Sequence, residues 1–175
     1  MATWLIDAER STIEFSVTYL LITTVKGIFT KFDAKLESEN EDFNDAKISF
    51  FAEVNSISTN NEERDTHLKS EDFFSADLFP RISFRSFSFH KIDGTNYKLI
   101  GEMTIRNYVK MIELDVDYGG KATDESGSAR AGFEIIGKIS RKEYGLLWDA
   151  ITETGGIMVA DEIKLSLSIQ LVEAY

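Results

Sequence analysis

Most of this chain alternates apolar and polar residues with a period of two, the pattern of a β-strand with one buried face. Ile13, Phe15 and Val17, for example, alternate with polar neighbours. The segments with this pattern are 13–19, 28–36, 48–54, 82–89, 97–105, 112–118, 131–139 and 163–171. About eight strands joined mainly by short turns predict an all-β protein, an antiparallel barrel or a sandwich. We favour the barrel, because charged residues on the opposite parity suit an outer wall facing water.

The apolar parity changes at two places within these strands. Phe29 lies on the opposite parity to its neighbours, which predicts a bulge or twist near Gly27. A second slip follows Phe84 and predicts a bulge at about Ser86. Farther on, residues 93–94 are Asp-Gly, which predicts a tight hairpin because both residue types tolerate a positive φ.

One segment, residues 62–86, interrupts the strand pattern, and its charged first part predicts a short helix. Asn60 can cap its start, with Glu63 in the position of a capping box. The helix leads to Phe73 and Phe74, two apolar residues that can cover one end of the barrel. We therefore interpret the segment as a lid.

A second interruption lies between Ser140 and Gly145, which can begin and end a short helical turn. Tyr144 and Trp148 each combine an apolar ring with one polar atom, a combination suited to a ligand head group near water. The same residues also suit a core in which the backbone satisfies that polar atom. Both interpretations stay open.

Length and composition predict one soluble domain over residues 1–175. The net charge of −11 argues against a nucleic-acid partner. No apolar run is long enough for stable membrane insertion, and no secretory signal is evident, so we expect a cytoplasmic protein. The absence of cysteine excludes disulfides and thiolate chemistry. The sequence leaves the oligomeric state open, with a homodimer as one alternative.

His67 follows Glu63 by four residues, so on a helix the two side chains share a face, as metal ligands or an acid–base pair would. The set is incomplete, because catalytic zinc usually takes three protein ligands. His67 fits better into the polar framework of the lid. We find no catalytic motif and expect no enzyme, no cofactor and no metal. The alternative is an enzyme that acts on a ligand head group at the barrel mouth with His67, Glu63 or Tyr144.

Several short motifs occur in a characteristic order along nearly the whole chain. They are W-x-I-D with S-x-I-x-F-x-V (4–17), R-D-x-H-L-K-S-x-D-F-F (64–74), F-P-x-I-x-F-x-S (79–86), L-x-G-x-M-T-I (99–105) and R-K-E-Y-G-L-x-W (141–148). In this order the chain resembles the YceI-like family, lipocalin-like proteins described as polyisoprenoid-binding. The resemblance implies an extended eight-stranded antiparallel β-barrel with a long apolar pore. Its expected ligand is a polyprenyl quinone or a similar lipid.

The inward strand positions are the candidate ligand-binding residues of the barrel interior. They are Phe15, Val17, Tyr19, Phe32, Phe50, Phe84, Met103, Ile105, Leu114, Phe133, Ile135 and Leu165. The candidates at the mouth or lid are His67, Phe73, Phe74, Tyr144 and Trp148. Periodicity alone leaves open a filled core of the same residues, which would suit an interaction protein. The resemblance favours a tunnel, and with it a carrier or storage protein for an isoprenoid lipid, without covalent chemistry.

Overall fold

The computed structural model describes residues 1–19, 22–147 and 159–174. Its strands are β1 (Ala2–Ile6), β2 (Thr12–Tyr19), β3 (Thr23–Phe29), β4 (Phe32–Ser38), β5 (Lys47–Glu53), β6 (Ile57–Ser58), β7 (Arg81–Asp93), β8 (Asn96–Ile105), β9 (Tyr108–Thr123), β10 (Ala129–Ser140) and β11 (Val159–Glu173). The α-helix is α1 (Glu62–Lys69), and short 3₁₀ turns span Ala8–Arg10, Val54–Ser56 and Arg141–Tyr144. No helix among these residues is long and apolar enough to cross a bilayer.

Within the described residues the strands form one closed antiparallel barrel. The order is β1-β4-β5-β7-β8-β9-β10-β11, and β11 pairs with β1 to close it. β2 continues β1 beyond a local break, and in the same way β3 continues β4 and β6 continues β5. The eleven strands therefore form eight walls around the barrel. The predicted eight-stranded antiparallel barrel with a short helical lid is confirmed.

The two changes of apolar parity have different structural causes. The register between β7 and β8 shifts between Ser86 and Ser88, which confirms the bulge. The prediction of a bulge near Gly27 is wrong, because the pairing of β2 with β3 runs without a shift from Ile13–Phe29 to Tyr19–Thr23. Parity changes there because β3 ends at Phe29 and a new strand begins two residues after Thr30.

Arg130 ties the closing strands of the barrel together. Its Nη1 donates to Asp7 Oδ2 and to Gln170 Oε1, both at 2.8 Å, and its Nε donates to Asp124 Oδ2 at 2.7 Å. The hydrogen bond from Arg130 outweighs the opposing effect of burial and holds the pKa of Asp7 below its ordinary value. The same donor lowers the pKa of Asp124. This ion-pair network joins the N-terminal strand to β10 and β11.

One end of the barrel is closed by aromatic rings, which we call the floor: Trp4, Phe43, Phe89, Tyr97, Tyr118 and Phe133. Phe43 comes from the loop after β4, is 1% exposed, and packs edge-on against Tyr118 and Phe133 with centroids 5.4 Å away. Phe89 stacks on Tyr97 at 4.9 Å. Six rings in mutual contact fill this end, which also carries the chain's N-terminus.

The opposite end is covered by the lid, which we define as residues 59–74. Asn61 caps α1, because its side chain accepts from the backbone N–H of Arg64 at 3.0 Å. The predicted cap at Asn60 is therefore wrong by one residue; Asn60 instead adopts a φ of 62°, a region that asparagine tolerates better than most residues. Phe73 and Phe74 follow the helix and are buried, as the lid interpretation requires.

Candidate ligand-binding site

The interior of the barrel is hollow. A cavity of about 590 Å³ runs between the lid and the floor, a size that suits one small-molecule ligand. Its wall is lined by apolar side chains from most of the strands. Those that face it include Ile13, Phe15, Val17, Phe29, Phe50, Ile82, Phe84, Leu99, Met103, Ile105, Leu114, Phe133, Ile135, Ile163, Leu165 and Leu167. A filled core, the alternative that periodicity left open, is not what these residues form.

Glycines in the wall explain how a barrel this rich in phenylalanine stays open along its axis. A Cβ at Gly27 would lie 2.3 Å from Cζ of Phe15, and one at Gly101 would lie 2.5 Å from Cζ of Phe84. The tip of each ring therefore lies against the backbone of the neighbouring strand, in space that the side chain of any other residue would occupy. Gly137 gives the same room to Leu114, whose Cδ2 would be 2.2 Å away. Side chains lying along the wall leave the centre free.

The structure brings most of the predicted interior residues to the cavity surface. Those that line it are Phe15, Val17, Phe50, Phe84, Met103, Ile105, Leu114, Phe133, Ile135 and Leu165. Phe32 is absent from the described lining, because it begins β4 at the wall break and stacks on Phe50 with centroids 6.5 Å apart. Tyr19 ends β2, where its backbone pairs with Thr23 and Val159.

The predicted mouth residues separate into two groups. His67, Phe73 and Phe74 line the cavity from the lid. Tyr144 ends the 3₁₀ turn, is fully buried in the apolar core and is absent from the described lining. Trp148 lies outside the described residues. Sequence alone could not distinguish an aromatic residue at a mouth from one sealed in the core a few ångströms away.

A polar network holds the lid at its first turn. Asp65 Oδ1 accepts from the backbone N–H of Thr59 at 2.9 Å and from its hydroxyl at 2.5 Å. Arg64 donates from Nε to the Thr59 hydroxyl and from Nη2 to the Thr59 carbonyl, both at 2.7 Å. Thr59, Asn61 and Arg64 also face the cavity, and sequence analysis did not single them out as binding residues. Of these three residues, Arg64 alone lies in the R-D-x-H motif, which was the available signal.

His67 completes the polar side of the lid. Its Nε2 lies 2.8 Å from Asp72 Oδ2, and its ring packs edge-on against Phe73 with centroids 5.2 Å apart. Glu63, its predicted partner on the helix, also faces the cavity. The described residues contain no group of three or more carboxylate or imidazole side chains that could hold a metal ion. The arrangement fits a framework that positions the lid.

Arg141 is a further polar residue at this end that sequence analysis did not select. It is 1% exposed, and its guanidinium donates to the carbonyls of Leu146, Val159 and Ala160 at 2.6 to 3.0 Å. These bonds fasten the 3₁₀ turn to the start of β11. Next to it, burial raises the pKa of Tyr144 to about 12. The Tyr144 hydroxyl finds no hydrogen-bond partner in the described part of the chain.

The cavity is thus mostly apolar along its walls and floor, where Glu14 and Lys35 are the charged residues of the described lining, and its other polar side chains gather at the lid end. Such a site can hold an apolar chain and place a polar head group near the lid, because buried polar groups need partners and apolar chains do not. The fold and the site together define a closed antiparallel β-barrel of the ligand-binding type.

Comparison with known proteins places this barrel in a family. Residues 4–171 match the YceI-like domain, and the chain belongs to the YceI-like family. The UPF0312 protein SA2479 of Staphylococcus aureus is 34% identical over 171 residues, which are 97% of each chain. The crystal structure of the YCEI protein of Campylobacter jejuni is 30% identical, covers 90% of both chains and has a TM-score of 0.77. A polyisoprenoid binding domain from Saccharophagus degradans shares the fold, with 11% identity, 98% coverage of both chains and a TM-score of 0.69.

Proposed function

We propose that this protein binds an isoprenoid lipid, a prenyl quinone or a similar molecule, inside the barrel and carries or stores it without covalent chemistry. The observation that carries the proposal is the hollow apolar interior of about 590 Å³ between the floor and the lid. A carrier needs a cavity that excludes water from the chain, and it needs no catalytic group. The family supports a lipid-binding role, since a structural neighbour is described as polyisoprenoid-binding.

The affinity of such a site comes from burial of the chain. Each methylene moved from water to an apolar wall contributes about 0.8 kcal/mol. A chain that fills the cavity therefore binds tightly without any hydrogen bond, up to the ceiling of roughly −18 to −21 kcal/mol for non-covalent complexes. Specificity then depends on how much chain the cavity accommodates and on the few polar groups near its opening.

The polarity of the two ends gives the bound lipid a direction. The floor is built of aromatic rings, whereas the lid presents Arg64, Glu63 and His67 to the cavity. Because an uncompensated polar head group would be costly against the floor, the chain enters tail first and the head group stays at the lid. The proposed site thus consists of the wall residues for the tail and the polar lid residues for the head.

Native mass spectrometry of the purified protein, followed by organic extraction, tests the proposal. We expect a bound apolar lipid, or uptake of an added prenyl quinone at one molecule per chain. The recovered quinone should be chemically unchanged, since an enzyme acting on the head group would alter its mass on incubation. A protein that neither contains nor takes up any apolar lipid would contradict the proposal. The cytoplasmic location expected from the sequence stays a prediction, as does the homodimer alternative.

A further inference from the structure

The floor is a constructed end to the cavity. Phe89 and Phe133 line its last part, and Phe43 lies directly behind Phe133 with 1% exposure. Phe43 adopts a φ of 65°, a strained conformation for a bulky residue that persists only where its surroundings hold it. The Tyr97 hydroxyl donates to the Asp42 carbonyl next to it.

A second bond holds the same loop. The backbone N–H of Asp45 donates to the Phe89 carbonyl at 2.8 Å, on the strand that carries one of the floor rings. The loop therefore places the Phe43 ring where it blocks the axis of the barrel.

The length of the cavity follows from the strand that runs along it. Leu171 lies at the floor end and Ile163 at the lid end of the regular part of β11, and both face the cavity. Eight residue steps at about 3.4 Å each span about 27 Å along the strand, and a tilt of roughly 40° reduces this to about 20 Å along the barrel axis. An extended carbon chain advances about 1.3 Å per carbon when its bonds are about 1.5 Å long. The cavity thus accommodates about 16 main-chain carbons.

The volume leads to the same size by an independent route. One carbon with its hydrogens occupies about as much space as a water molecule in the liquid, roughly 30 Å³. A cavity of about 590 Å³ therefore holds about 20 heavy atoms. An isoprene unit contributes four carbons to the main chain and one as a methyl branch. Both estimates therefore correspond to about four isoprene units.

We infer that the floor limits the bound lipid to a chain of about four isoprene units, so that longer polyprenyl chains are excluded. This inference rests on the proposed function and narrows it to a short-chain isoprenoid. A longer chain cannot pass the floor and would have to leave its excess carbons in water at the lid. Each exposed methylene lowers the affinity about fourfold.

Extraction from a bilayer tests the limit directly. Phosphatidylcholine vesicles containing equal amounts of farnesol, geranylgeraniol, geranylfarnesol and solanesol are incubated with the protein, and the protein-bound prenols are quantified after separation. In the vesicle every chain is already in an apolar environment, so a longer chain gains no free energy merely by moving from the bilayer to the cavity. We expect comparable extraction of farnesol and geranylgeraniol, and at least about tenfold less solanesol, because its excess carbons would be exposed.

Shortening a floor residue should move the limit. Phe133→Ala removes about six heavy atoms, close to one isoprene unit, and should admit geranylfarnesol while still excluding solanesol. Phe51→Ala is the matched control, because the Phe51 ring lies on the outer face against Arg81, whose guanidinium carbon is 4.0 Å from the ring centroid. Circular dichroism checks that both variants are folded. The four prenols tested on the wild-type protein decide whether chain length is limited, even if Phe133→Ala does not fold.

The outcomes are distinguishable. Extraction of solanesol as efficient as that of geranylgeraniol would overturn the length limit and leave the lipid-binding function intact. Failure to extract any of the four prenols would overturn both. A folded Phe133→Ala variant that still excludes geranylfarnesol would show that the floor does not set the limit. A shift in Phe133→Ala that is absent from Phe51→Ala would support the inference.

Discussion

Two adjacent isoleucines of β10 allow the position of the ligand to be tested with one change of side chain. Ile135 faces the cavity, whereas Ile136 points outward and is 58% exposed. Replacing either by phenylalanine adds about three heavy atoms, and phenylalanine suits a strand as well as isoleucine does. Only Ile135→Phe places these atoms in the space that the proposed ligand would occupy.

The expected magnitude follows from the volume of the cavity. Three additional heavy atoms occupy roughly 90 Å³ of the cavity's approximately 590 Å³. They displace about three methylenes of a bound chain, which at about 0.8 kcal/mol each weakens binding by about 2.4 kcal/mol. That is an increase in Kd of roughly 50-fold. The stability of Ile135→Phe should stay within about 1 kcal/mol of wild type, because the new ring enters free space and does not overpack a filled core.

Titration with geranylgeraniol delivered from cyclodextrin measures the two affinities, and urea denaturation measures the two stabilities. Ile136→Phe should bind like the wild type. Equal affinities for the two variants would refute the reasoning, because a ligand in the cavity cannot be indifferent to a ring placed there. A large loss of stability in Ile135→Phe alone would show that the interior is packed more tightly than its volume indicates.

Three further changes test other parts of the structure. Gly27→Ala should force the facing phenylalanine ring into the cavity, which should weaken prenol binding at least tenfold and lower the stability measured in urea by about 1 to 3 kcal/mol. Gly132→Ala is the control, because nothing lies within 4 Å of the added Cβ, and it should change stability by less than about 0.5 kcal/mol. Equal effects of the two changes would contradict the close contact between Gly27 and the ring. Tyr144→Phe should leave the protein as stable or stabilise it by about 1 kcal/mol, since the hydroxyl has no described partner. The raised pKa of Tyr144 contributes stability that is present below pH 10 and lost as the pH rises towards 12, so the variant should lose less stability over that range than the wild type. Arg130→Gln should lower the thermal midpoint at pH 7. The difference from wild type should shrink as the pH falls below 3.8 through the lowered pKa of Asp7, because protonation removes the ion pair in the wild type too; a difference that does not shrink over this acid range would assign the effect to packing.

The strand pattern predicted the fold because a half-buried strand has a period of two that is visible in any window of a few residues. The bulge after Phe84 was predictable for the same reason, since the slip in parity occurs inside one strand. The strand end after Phe29 was not predictable, because a bulge and a strand end change the parity of the apolar positions in the same way. The cap of α1 was missed by one residue, since Asn60 and Asn61 are the same residue type and only the backbone decides which one caps.

The hollow interior could not be predicted from periodicity, since the inward residues of a filled barrel and of a lined cavity have the same pattern. Gly27 and Gly101 decide the matter, because they let aromatic rings lie along the wall, yet in the sequence each is only a glycine in a strand. Phe43 was also missed. It lies in an acidic loop with no apolar pattern around it, and only the fold brings it to the end of the barrel.

The two ends of the barrel differ in which contacts must be broken to open them, and this difference leads us to expect one path for the proposed ligand. Opening the floor would separate six aromatic rings, with contacts between 4.9 and 6.4 Å, and would expose Phe43 and its neighbours to water. Opening the lid would release α1, none of whose residues is buried, and would expose Phe73 and Phe74, which follow it. The ring of Phe74 packs edge-on against Phe29 with centroids 6.5 Å apart. Since local opening follows the segments with the least buried apolar surface, we expect a lipid to exchange at the lid. In the proposed function the lid then governs how fast a lipid enters and leaves, whereas the floor determines which lipid fits.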